Sequence, residues 1–241
     1  MNQYFNLNRT INLCKRQLLI NRQTLIVGMG TISALMLVIT ILSAYLNLSS
    51  LSQLTDWNLT LIFICGFTFT SMFFSEFRNT PKAIFYLTLP VSNIERLLVA
   101  WLLTSPILVL VSSIILYGIN VLGIIIATGN YENIQPFFNA EYFHSILKYM
   151  LIQPIFLLGS VVFKKNNFLK TVLTIIITFL FLILYSMLNT RIFLGAIGTQ
   201  TFQINLGLNT SIGNSIFSYS WMLLSPFFLI VTYFKIKEKE L

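Results

Sequence analysis

Charge is what this chain has least of. Asp, Glu, Lys and Arg together make up 9% of it, where a soluble domain carries about 25%. A surface with so few charges cannot all face water. The shortage also excludes disorder, which needs low hydrophobicity and high charge. Histidine occurs once, at His144, and cysteine twice, at Cys14 and Cys65. Cys14 stands in a polar leader and Cys65 inside an apolar run, so no disulfide is expected. That inventory offers no pattern for a zinc or haem site. No phosphate-binding loop of the form G-x-x-x-x-G-K-[ST], no H-E-x-x-H and no G-x-S-x-G occurs. Neither a cofactor nor catalysis by this chain is expected, and any ATP-driven work would need a separate subunit. The net charge of +8 does not point to nucleic acid, because the basic residues sit in short segments between apolar stretches instead of on one soluble face.

What is abundant is uncharged, apolar sequence in long runs. A helix needs about 20 mostly apolar residues to cross the hydrocarbon core. On that measure six spans are expected, at about 25–46, 57–75, 97–128, 146–163, 171–190 and 216–234. The first has too long an apolar run, and too polar a leader before it, for a cleaved signal peptide. Cytoplasmic flanks of membrane helices collect Lys and Arg. Of the 15 such residues, thirteen fall on one side of this layout. They are Arg9, Lys15, Arg16 and Arg22, then Arg78, Lys82 and Arg96, then Lys164, Lys165 and Lys170, then Lys235, Lys237 and Lys239. Lys148 and Arg191 fall on the other. The expectation is therefore an all-α membrane protein of six transmembrane helices with both termini cytoplasmic. Residues 1–23 would form an N-terminal amphipathic interfacial helix, 24–234 the membrane domain and 235–241 a cytoplasmic tail. Tyr45, Trp57 and Trp221 fall near expected outer boundaries and Tyr233 near an inner one, where amphipathic rings favour the headgroup level.

No ionisable residue lies deep in an expected span. Ion-coupled transporters usually place one there, so a proton-driven pump is disfavoured, although a sodium site of carbonyls stays open. Ser and Thr hydroxyls instead let helices pack closely and shift without stranding a charge in lipid. Pro106, Pro154 and Pro226 each fall within a span, where proline removes a backbone hydrogen bond and kinks the helix. The kinks suit fixed packing or a hinge.

Two polar segments carry more pattern than connectors need. In the first, Leu7, Ile11, Cys14 and Leu18 share one face of a helix, with Arg9, Asn12, Lys15, Arg16 and Arg22 largely elsewhere. Such a helix lies in the headgroup layer with its basic face toward anionic lipid. The second segment, 76–96, mixes charge with Phe85, Tyr86, Leu87 and Leu89, so part of it should be buried. After Pro90, the run Ser92-Asn93-Ile94-Glu95 matches the S-x-x-E capping box that starts a helix.

The charged, aromatic loop followed by Leu89-Pro90-Val91-Ser92 and Glu95-Arg96-Leu97-Leu98 resembles the membrane subunits of ABC transporters of the ABC-2 type. At residue level the likeness covers about 77–98; in layout it covers the chain. The resemblance implies an exporter permease in which two membrane subunits, like or unlike, pair above two cytoplasmic ABC ATPase subunits. It implies that 78–96 docks on the ATPase, with Arg78, Lys82, Phe85, Tyr86, Leu89, Ser92, Glu95 and Arg96 as the coupling-loop residues. Lys15 and Arg16 of the interfacial helix would flank that contact. It also implies that 198–215 is either a re-entrant helix or an outer loop. A non-transporting assembly, immunity or sensor protein of the membrane fits the same hydropathy, as does, less well, a secondary transporter.

Overall fold

The structure is a computed structural model and describes residues 6–46, 51–78, 80–128, 140–194 and 210–239. All of its regular structure there is helical. The elements are α1 (Leu7–Ile20), α2 (Arg22–Leu46), α3 (Leu51–Met72), a 3₁₀ turn (Ser75–Arg78), α4 (Thr80–Leu87), α5 (Asn93–Leu102), a π turn (Leu103–Ile107), α6 (Leu108–Thr128), α7 (Ala140–Val162), α8 (Asn167–Leu194) and α9 (Thr210–Glu238). The segment 198–209 lies outside the described residues, and so does any choice between a re-entrant helix and a loop there.

The chain is a multi-span membrane protein. Among the described residues, four helices are long and apolar enough to cross a bilayer: Arg22–Leu42, Asn93–Gly123, Tyr142–Val162 and Asn167–Asn189. The expected count of six is thus corrected to four, and at 57–75 the loss has a visible cause. The span expected at 57–75 ends early, because the helix unwinds after Met72 into a turn at Phe73 and Phe74. Its apolar part, Asn58–Met72, falls short of the ~20 residues a crossing needs. In α9 the apolar run whose side chains are described, from Leu223, is closed by Lys235, Lys237 and Glu238. Both helices still pack in the bundle, α3 against α2 and α7, and α9 against α7 and α5.

The third expected span is one continuous helix from α5 through the π turn into α6. Pro106 explains the turn: proline has no N–H to give and its ring displaces the carbonyl one turn back. Helix α7 braces this turn. Tyr149 donates its hydroxyl proton to the Thr104 carbonyl at 2.8 Å, and the Gln153 amide donates to the Thr104 hydroxyl at 2.6 Å. Gly66 of α3 makes room, since a Cβ there would lie 2.5 Å from the Tyr149 oxygen. Elsewhere in the spans, hydroxyls bond back to their own helix: Thr40 to Met36, Thr70 to Gly66 and Ser113 to Val109. Such groups bury oxygen between helices without leaving it unpaired.

The buried core divides along the bundle. One cluster, with Met36, Ile62, Leu116 and Tyr142, holds α2, α3, α6 and α7 together. The largest, with Leu13, Phe74, Phe77, Tyr86, Val99, Leu157 and Ile236, draws α1, α3, α4, α5, α7 and α9 to one end. That end carries the basic residues. Asn6 bonds to Glu95 at this end, and Lys239 reaches both Val161 and Phe77 there. By contrast α8 is almost wholly exposed along its length, with Leu173, Ile177, Leu180, Phe181 and Leu184 each more than half accessible. In a bilayer, lipid is the solvent for such a face.

Candidate functional site

The segment from Ser75 to Leu98 and helix α1 form one assembly at the basic end. Its centre is the Glu95-Arg96 pair at the start of α5. Ser92 caps that helix: its hydroxyl accepts from the Glu95 amide at 3.3 Å, and the Glu95 carboxylate accepts from the Ser92 amide at 2.8 Å. The capping box read from the sequence is therefore present. Its carboxylate does more than cap. Glu95 is fully buried, accepts from the Asn6 amide at 2.6 Å and pairs with Arg9 at 3.4 Å. One side chain thus joins the N-termini of α1 and α5, where both helix dipoles favour negative charge.

Arg96 does the complementary job at the other pole of a helix dipole. Its guanidinium donates to the carbonyls of Tyr86, Leu87 and Leu89 at 3.4, 2.9 and 3.3 Å, and to the Asn93 side chain at 2.8 Å. The first two carbonyls end α4 and the third follows it; α4 begins with Pro81 in its first turn, a position that tolerates proline. The cation also lies 5.4 Å from the centre of the Tyr86 ring. Tyr86 is buried, and burial pushes its phenol well above the ordinary range, against the opposing effect of Arg96. Arg16 of α1 completes the assembly. It pairs with Glu76 at 3.4 Å and faces the rings of Phe85 and Tyr86 at 5.8 and 5.6 Å.

The residues read from the sequence therefore fall into two groups. Tyr86, Ser92, Glu95 and Arg96 are interior fasteners, with Leu89 packed against the same core. Phe85 stands out at 65% exposure, beside Ile84 at 58%. Lys15 is exposed on α1. Arg78 ends the 3₁₀ turn and Lys82 lies in α4, while their side chains are outside the described residues. α1 forms where the leader's periodicity places it, yet its protein-facing residues are Thr10, Leu13 and Gln17. Leu7, Ile11 and Leu18 of the apolar stripe remain exposed, as a helix with that face in lipid requires. The Glu95 link to Asn6 and Arg9 carries no local signal, since its partners lie far apart in the chain.

No site for a metal ion forms among the described residues. Comparisons with family models, with curated proteins and with solved structures gave no match.

Proposed function

We propose that this chain is the membrane-embedded permease subunit of an ATP-driven ABC exporter of the ABC-2 type, coupled to a separate cytoplasmic ATPase through α4 and its flanks. The reading rests on the docking segment and not on the span count. The observation that carries it is the contrast within α4. Ile84 and Phe85 project as an apolar knob, while Arg96, Glu95 and Tyr86 tie its base to α1 and to the long helix that runs on through α6. A knob on so rigid a base passes a push from a docked partner into the membrane as a rigid-body movement. An exposed loop serving only as a connector has no need of that base. The gathering of basic segments at this end, with both described ends of the chain, supports placing it in the cytoplasm. Pairing with a second permease subunit completes the proposal.

The test is purification of the complex from native membranes after mild solubilisation. The reading expects a stoichiometric soluble chain with a phosphate-binding loop, and ATP hydrolysis that follows it. A complex with no such chain, or vesicle transport driven by an ion gradient without ATP, overturns it.

A further inference from the structure

We propose that the lysines where α7, α8 and α9 meet bind the phosphate of an anionic phospholipid headgroup. Lys239 is fixed at this corner. Its ammonium donates to the Val161 carbonyl, at the C-terminal end of α7, at 2.6 Å and lies 4.7 Å from the centre of the Phe77 ring. Lys164 and Lys165 follow directly in the α7–α8 turn, exposed. That turn is held by Asn166, whose φ of 51° asparagine tolerates, and by the Asn167 amide, which donates to the Ser160 carbonyl at 3.1 Å. Lys235 stands one helical turn before Lys239, and exposed Glu238 answers its charge at 2.5 Å. Burial, with Lys164 and Lys235 nearby, lowers the Lys239 pKa from the ordinary lysine value. Among the described residues, four lysines stand at this corner against the one carboxylate of Glu238, and an anion relieves that excess.

The surroundings choose which anion. Val162, Leu169, Leu173 and Phe234 are exposed apolar side chains on the helix ends that carry these lysines, at 44%, 64%, 57% and 60% accessibility. They begin the faces of α7, α8 and α9 that water does not cover. A ligand with phosphate at one end and acyl chains at the other matches both halves; free phosphate or a soluble acidic protein matches only the first. Basic side chains at such a border reach the headgroups while their stems lie along apolar surface. The proposal is independent of any ATPase partner.

The experiment uses the full chain in nanodiscs of phosphatidylcholine with added phosphatidylglycerol, with retained lipid read by native mass spectrometry. Phosphatidylglycerol is expected to be retained preferentially. Lys164→Gln with Lys165→Gln, at exposed positions, should lower that preference by about fivefold per lysine removed. Lys239→Gln should lower it as well, while Lys148→Gln, toward the opposite end of α7, should leave it unchanged. Equal retention of the two lipids overturns the proposal. So does a preference untouched by the double variant, or one abolished by millimolar inorganic phosphate.

Discussion

The backbone amide of Asn6 donates to the Glu95 carboxylate at 2.6 Å across 89 residues of sequence. A carboxylate that a local reading assigns to capping one helix is thereby the fastener of two. Glu95→Ala removes the acceptor for two amides and the partner of Arg9. The expected cost is about 2–4 kcal/mol, below that of a fully enclosed pair because Arg9 keeps part of its hydration. Hydrogen exchange should show α1 losing protection before the rest of the bundle, and Glu95→Gln, which keeps an acceptor, should show less. Uniform loss of protection would assign Glu95 to the core at large.

Arg96 tests the same assembly from the other side. Lysine keeps the charge but not the planar fork that reaches the carbonyls through one nitrogen and the Asn93 side chain through the other. Arg96→Lys should therefore cost about 2–3 kcal/mol in thermal unfolding of the reconstituted protein. An unchanged midpoint would show that charge alone holds α4.

Two glycines give a matched pair within the bundle. At Gly66 an added methyl meets the Tyr149 hydroxyl, whereas at Gly28 nothing lies within 4 Å. Gly66→Ala should destabilise by about 1–3 kcal/mol. Gly28→Ala, in the interior of α2, should stabilise by about 0.5–1 kcal/mol. Equal effects on the unfolding midpoint would contradict the packing described between α3 and α7.

Burial raises the Cys14 thiol above its ordinary pKa. A raised pKa leaves less thiolate at any given pH. In a Cys65→Ser background, maleimide labelling of Cys14 should be slow at neutral pH and rise only above the pH at which free cysteine, with its pKa of about 8.5, has already responded. A labelling profile matching that of free cysteine would place Cys14 in water.

Much of this was legible in the chain. The leader helix, the capping box of Ser92 and Glu95, and the four helices long and apolar enough to cross a bilayer follow from periodicity, polar punctuation and apolar length, all of which are local. The count of six was not correct, because an apolar run measures composition and not where a helix stops. Phe73 and Phe74 are as apolar as the helix before them, yet they turn away into a chain of ring contacts that runs from Phe73 through Phe74 and Phe77 to Tyr86. The protein-facing side of α1 is not legible for a related reason: Thr10 and Gln17 are buried by neighbours from other helices that no local pattern announces. The same holds for Lys239, which a reading of the tail leaves as one more cytoplasmic charge.

The central claim is that Ile84 and Phe85 are the contact through which a separate ATPase drives this membrane subunit. Phe85→Ala is its most direct measurement, because the side chain is exposed and its loss leaves the fasteners beneath it in place. The account predicts a protein with the same expression as the parent and an unfolding midpoint lowered only slightly by loss of the Arg16 contact, from which the ATPase chain no longer co-purifies in stoichiometric amount and whose complex loses transport-coupled hydrolysis. Full retention of the ATPase and of coupled hydrolysis at matched expression would contradict it.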